Sequence, residues 1–212
     1  CLKQKVLILG AGGQLGRELQ RTVPAGVESI AMARTQLDIS DASAVEDCLA
    51  ALMPQQVINA AAYTAVDKAE SEPAAAHRGN AEGPGVLAAA CARHGLRFIH
   101  ISTDFVFDGT ASQPYRPEAP AAPLGEYGRS KRAGEVAVQS ALPEALILRT
   151  GWVYSSFGGN FVKTMLRLMG ERDELAVVTD QVGTPTWAPG LAEVVWAAAA
   201  RPQFTGIYHW SD

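Results

Sequence analysis

The sequence lacks most of what marks a secreted, membrane-built or metal-built protein. Its three cysteines, Cys1, Cys48 and Cys91, are widely spaced and include no C-x-x-C pair. Neither a disulfide framework nor a thiolate metal site is expected, and a reducing compartment is. The four histidines, His77, His94, His100 and His209, form no ligand-spaced cluster. No apolar run reaches the ~20 residues of a membrane-spanning helix. The opening residues, CLKQKVLILG, run directly into a strand pattern, so no cleavable leader is expected. Lys and Arg number 18 against 22 Asp and Glu, for a net charge of -4, which removes the electrostatic case for nucleic acid or an anionic membrane. Internal repeats and low-complexity tracts are missing too. The expectation is a cytoplasmic globular chain of one or two domains with a small-molecule ligand.

What is present is a rhythm. Short apolar runs recur at KVLILG (5–10), ESIAMA (28–33), QVINAA (56–61), RFIHIS (97–102) and ALILRT (145–150). Each is too short for a helix and apolar enough for a strand covered on both faces. Between them lie stretches with apolar residues at helical spacing, the second of which has Ser40 or Asp41 as its cap. The alternation predicts an α/β fold: a Rossmann-like doubly wound parallel sheet. After Thr150 the rhythm changes to a Gly-rich turn, a helix FVKTMLRLMG, a strand ELAVVTD, a loop QVGTPTWAPG and a helix LAEVVWAAAA. Residues 1–150 are therefore expected to form a dinucleotide-binding domain. Residues 151–212 are expected to hold part of a smaller substrate-binding lobe and a helix returning to the first domain. The final GIYHWSD reads as a strand with nothing closing it, so that lobe is expected to be truncated at its C-terminus.

Immediately after the first strand stands GAGGQLG, with Gly10, Gly13 and Gly16 spaced G-x-x-G-x-x-G and an additional Gly12. Strand, tight turn and helix in that order let backbone approach a pyrophosphate, whose charge rests against the helix N-terminus. An NAD site places an acid at the end of the second strand to hold the ribose hydroxyls. Here Ala33 and Arg34 occupy that place, and Arg34 can pair with a 2′-phosphate. NADPH is thus favoured, with NADH left open. Asp38 is assigned either to adenine or to capping a turn.

Tyr127 and Lys131, in EYGRSK, are four apart and share one helix face. A free phenol titrates near 10, and a neighbouring ammonium with a positive nicotinamide ring lowers that value. Tyr127 is then a usable general acid, with Lys131 also reaching the nicotinamide ribose. At the end of the fourth strand, in ISTDFVFDG, a hydroxyl would hold a substrate carbonyl, Thr103 being preferred and Ser102 the alternative. His100, inside the same strand, is expected to be a hydrogen-bonded core residue.

Together these stretches resemble the extended short-chain dehydrogenase/reductase superfamily. More narrowly, GQLGREL, LDISD, NAAAYTAVDKAE, LRTGWVY and QVGTPTWAPGLAE resemble the dTDP-4-dehydrorhamnose reductases. The resemblance implies that Gly13, Gln14 and Leu15 lie along the cofactor phosphates, Asp38 and Ile39 near adenine, and Ala61, Ala62 and Tyr63 beside the ribose. It makes Tyr127 the proton donor and Lys131 its partner, Thr103 and Asp104 contacts of a nucleotide-sugar, and Trp152 a wall of the sugar pocket. The implied reaction is reduction of the C4 ketone of dTDP-4-dehydro-L-rhamnose. Phe105 replaces a tyrosine found in many relatives. Some members dimerise around magnesium held by glutamates. Glu18 matches one such position but Pro189 stands at a second, so no magnesium is expected while a homodimer remains open. Two other functions fit the fold: an NADP-binding regulatory subunit like the methionine adenosyltransferase beta subunit, or a nucleotide-sugar epimerase or dehydratase.

Overall fold

A computed structural model of the chain describes residues 3–212. The apolar runs become strands β1 (Gln4–Leu9), β2 (Val27–Met32), β3 (Gln56–Asn59), β4 (Arg97–Thr103) and β5 (Leu146–Thr150). A pair of short strands, β6 (Val153–Tyr154) and β7 (Thr186–Trp187), follows, and then β8 (Gly206–His209). Six strands form one sheet in the order β2-β1-β3-β4-β5-β8, and every ladder is parallel. The chain steps from β1 to one side for β2 and to the other for β3. That reversal opens a crevice beyond the carboxyl ends of β1 and β3, where open α/β sheets bind ligands.

Alternation along β1 shows why the sheet needs helices on both faces. Leu7 and Leu9 enter a core with Val57, Phe98 and Ile147, covered by α2 (Ala42–Leu52), α5 (Gly83–His94) and α6 (Glu126–Ala141). Val6 and Ile8 enter a second core with Ile58, Ile99 and Leu148, covered by α1 (Gln14–Arg21) and α8 (Ala188–Ala199). All four β1 residues are almost fully buried, as strands between two helical layers must be. The Trp196 indole of α8 donates to the Leu19 carbonyl of α1 at 3.1 Å. The last sixty residues thus return to the sheet through both α8 and β8. Asp41, rather than Ser40, caps α2 by accepting from the Ala44 amide at 3.0 Å.

Two expectations from the sequence need correction. The helical stretch after Glu72, preceded by the short α3 (Val66–Ala69), is not regular throughout: α4 (Pro73–His77) passes into a π-helical segment, Arg78–Glu82, before α5. Pro84 has no N–H to return to the Asn80 carbonyl four residues back, so a regular helix loses a bond there. That carbonyl instead faces Gly134 of α6, where even a Cβ would come within 2.0 Å of it. The second correction concerns ELAVVTD, expected to be a strand. It is irregular, and both Val177 and Val178 are exposed. With no ladder partner among the described residues and no buried face, the run has nothing to make it a strand. Ahead of it, α7 (Phe161–Glu171) is capped by Asn160, whose side chain accepts from the Lys163 amide, yet buries none of its residues.

Candidate active site

A single cleft of about 1270 Å³ runs across the carboxyl ends of β1, β3, β4 and β5, with α7 along its far side. Its floor at one end is the glycine turn. Gly10 takes φ +85, and a Cβ on Gly16 would come within 2.0 Å of the Gly10 carbonyl, so the turn closes this tightly only with hydrogen at both positions. Gly13 begins α1 in an extended conformation with no side chain capping it. The free first-turn N–H groups, at Gln14, Leu15 and Gly16, therefore make an anion-binding end. Gly12, Gly13, Gln14 and Leu15 all line the cleft. The Gln14 side chain crosses it, donating to the Val153 carbonyl at 3.4 Å and accepting from Asn160 at 3.0 Å.

Beyond the turn lie Ala33, Arg34, Asp38 and Ile39 on one side and Ala61, Ala62 and Tyr63 on the other. Asp38 accepts from the Ser40 hydroxyl at 2.7 Å and the Ser40 amide at 3.0 Å, and pairs with Arg78 at 2.8 Å. The Ser40 hydrogen bonds come first in holding its carboxyl below the usual value, with the two nearby arginines, Arg78 and Arg34, adding to them. The loop of Ala61 to Tyr63 is fastened from below. The Ala61 amide donates to Asn59 Oδ1 at 3.1 Å, and Asn59 Nδ2 lies 3.1 Å from His100 Nδ1. His100 is fully buried as expected, but its Nε2 has no protein partner. Burial, reinforced by Lys131, keeps the ring neutral, with a pKa well below 6.5.

Sequence reading missed Asn80, which braces this loop against α6. Its Oδ1 accepts from the Tyr63 amide at 2.8 Å, and its Nδ2 donates to the Tyr63 carbonyl and to Ser130 Oγ, both at 3.0 Å. Ser130 in turn donates to the Tyr127 carbonyl at 2.8 Å. The surrounding stretch, HRGNAEG, is itself polar, so composition did not single Asn80 out.

At the other end of the cleft Tyr127 and Lys131 stand on α6, with Thr103 and Asp104 at the end of β4 and Trp152 after β5. The structure resolves Ser102 from Thr103: Ser102 Oγ donates to Glu135 at 2.7 Å in the interior. The Thr103 hydroxyl donates to Asp104 Oδ1 at 3.1 Å and accepts from the Phe105 amide at 3.2 Å, close enough to the Tyr127 phenol to pull its pKa down. The Phe105 ring meets Tyr127 edge-on, 5.5 Å between centroids. Trp152 adopts φ +49, a conformation costly for a bulky residue, and presents its ring to Gly183.

Electrostatics differ from the sequence expectation at the phenol. Burial raises the Tyr127 pKa, Asp104 raises it further, and only the Thr103 contact opposes them. Lys131 does not acidify it, because its ammonium is buried and donates to the Ile101 carbonyl at 2.7 Å. Burial takes Lys131 itself down to about 8, against the opposing pull of Glu135. Asp104, hemmed by the cleft walls yet reached by solvent, is raised by desolvation despite the Thr103 hydrogen bond.

A second set of residues absent from the sequence reading supports this end. Glu135, one turn beyond Lys131, receives both Arg149 Nε and Nη2 at 2.7 Å, and Arg132 at 2.9 Å. Arg149 lies over the Phe107 ring at 5.0 Å and donates to the Pro117 carbonyl at 3.2 Å. An arginine inside the apolar run LILRT was the legible sign. Glu18, matched by resemblance to a magnesium position, is buried and committed to Ser155 at 2.9 Å and Arg21 at 2.7 Å. Each of its two carboxylate oxygens is engaged within the chain.

This arrangement was compared with known proteins. The family model of the RmlD substrate binding domain matches residues 4–212. The chain belongs to the RmlD family. This RmlD-family chain is 45% identical to the dTDP-4-dehydrorhamnose reductase of Burkholderia thailandensis, covering 98% of the chain and 72% of that protein. It is 46% identical to a probable dTDP-4,6-dihydroxy-2-methyloxan-3-one 4-ketoreductase of Streptomyces antibioticus, covering 96% of the chain and 70% of the relative. The crystal structure of dTDP-4-dehydrorhamnose reductase from Bacillus anthracis in complex with NADP superposes with a TM-score of 0.95 at 38% identity, over 99% of this chain and 75% of that one. Among the described residues no helix is long and apolar enough to cross a membrane.

Proposed function

We propose that this chain is the NADPH-dependent reductase of the C4 ketone of dTDP-4-dehydro-L-rhamnose. The observation that carries the reading is the convergence of Tyr127, Lys131 and Thr103 in one cleft with an uncapped glycine turn. The residues present fit a dinucleotide: the turn offers a diphosphate free N–H groups that no side chain caps. Bound there, NADPH supplies a hydride. Gln14 and Leu15 hold its phosphates, Ile39 and Asp38 flank adenine, and Ala61, Ala62 and Tyr63 border the ribose.

The work of the protein is then to hold a ketone and deliver one proton. Thr103 and Asp104 orient the sugar, and Trp152 walls the pocket. Charge develops on the carbonyl oxygen, and Tyr127 gives its proton to that oxygen as the alkoxide forms. A phenol held above its ordinary pKa is fully protonated at neutral pH, which is the form reduction requires. Lys131, brought down to about 8 by burial, keeps its ammonium on the Ile101 carbonyl and borders the nicotinamide ribose.

Related enzymes are named for more than one 4-keto sugar, so the test uses both. The chain is mixed with NADPH and each dTDP-4-keto sugar, and loss of dihydronicotinamide absorbance is followed. Turnover is expected with dTDP-4-dehydro-L-rhamnose, and Tyr127→Phe is expected to slow it by about 10²–10⁴-fold while leaving NADPH binding intact. Tight NADPH binding without turnover of either sugar would mean a regulatory, nucleotide-binding protein instead.

A further inference from the structure

The cleft holds a pair of arginines whose relation the proposed function leaves unexplained. Arg34 follows β2 just beyond Ala33, where the place of a ribose-gripping carboxylate is taken by a cation. Arg78 begins the π-helical segment on the opposite side and also lines the cleft. Between them lies Asp38, which feels both cations. Arg78 is tied at Nη2 to Asp38 (2.8 Å) and at Nε to Ser40 Oγ (2.7 Å), yet more than half of its side chain remains open to solvent.

We propose that Arg78 and Arg34 are the two halves of a clamp for the 2′-phosphate of NADPH, with Asp38 holding Arg78 in place until the phosphate takes over. This rests on the NADPH reading above. A guanidinium carries five N–H donors in a planar fork, and Asp38 and Ser40 engage only part of it. A phosphate monoester carries more charge than a carboxylate and accepts the fork bidentately, so exchange leaves Arg78 better paired than before. Asp38 is not orphaned by the exchange, because the Ser40 amide and hydroxyl still donate to it. Two cations against one carboxylate leave the rim attractive to a dianion, while a 2′-hydroxyl gains little from it. The Asn80 brace fixes the segment that carries Arg78 against the ribose loop, so the cation is already close when the cofactor arrives.

Intrinsic fluorescence titrations with NADPH and with NADH, and competition by 2′-AMP against 5′-AMP, read the clamp without turnover. Arg78→Ala is expected to weaken NADPH about tenfold, the loss of one charge-assisted hydrogen bond, with NADH changed by less than about twofold. Asp38→Asn is expected to move the NADPH-to-NADH affinity ratio the opposite way, and added salt is expected to weaken NADPH more than NADH. A ratio untouched by Arg78→Ala, or shifted by Arg34→Ala alone, overturns the clamp and leaves the reductase reading standing. Failure of the wild-type chain to bind either nucleotide overturns the reductase reading and the clamp together.

Discussion

On the sheet side of the cleft, Val6 to Leu9 and Ile58 are shut away from water, and α1 and α8 are locked by an indole-to-carbonyl bond. On the far side, α7 buries none of its residues, and Leu166 and Met169 are both about two-thirds exposed. One wall is held by apolar area, the other by a handful of polar ties: Gln14 to Asn160 and Val153, Glu18 to Ser155, and Thr186 to the Gly151 carbonyl at 2.6 Å. Burying apolar surface contributes about 25 cal/mol per Å², whereas single hydrogen bonds net about 1 kcal/mol each. The sheet side is therefore the rigid reference on which Tyr127, Lys131 and Thr103 are positioned. The α7 side has the free energy of a region that opens locally without global unfolding.

The sharpest way to break that contrast is to unbalance the charge buried in the rigid wall. Glu135→Ala leaves Arg149, itself only 3% exposed, without its partner, and is expected to cost about 3–5 kcal/mol in urea-unfolding experiments. Burial opposes ionisation of Glu135, but hydrogen bonds from Arg149 and Ser102 win and hold its pKa below the ordinary 4.5. A depressed carboxylate stabilises above its unfolded value and loses that contribution as pH falls through the folded one. Wild-type stability should therefore fall below about pH 4.5 with a component that the variant lacks. A pair of matched truncations compares the two walls directly. Leu191→Ala in the buried face of α8 is expected to cost about 2–5 kcal/mol, while Leu166→Ala on α7 should stay within about 0.5 kcal/mol. Similar losses at both positions would mean that the walls are equally supported. An effect between those two is expected at a helix end: Asp41→Ala should remove about 1 kcal/mol, measurable as a shift in the urea midpoint with an unchanged slope.

How much of this was legible in the sequence follows the same division. Strands buried on both faces write themselves as apolar runs, and β1 to β5 appear within a residue or two of KVLILG, ESIAMA, QVINAA, RFIHIS and ALILRT. The glycine turn and the Tyr127–Lys131 spacing were legible because each depends on local geometry, a tight bend and one helical turn. ELAVVTD misled because its composition suits a strand while strands are made by neighbours, and none is there. The Asn80 brace and the Glu135–Arg149 pair were not legible as pairs, even where Arg149 stood out by itself, since their partners lie 50 and 14 positions apart along the chain. The electrostatic state of Tyr127 was misjudged for the same reason. The direction in which Lys131 points is set by the Ile101 carbonyl on a different strand.

The Asn80 side chain touches the backbone at Tyr63 with one end and the hydroxyl of Ser130 with the other. The loop of Ala61 to Tyr63 and the helix that carries Tyr127 are therefore not interchangeable modules. Anyone grafting a foreign segment in place of Ala61 to Tyr63 would have to transplant the amide and its serine as well, or accept a shifted Tyr127 ring.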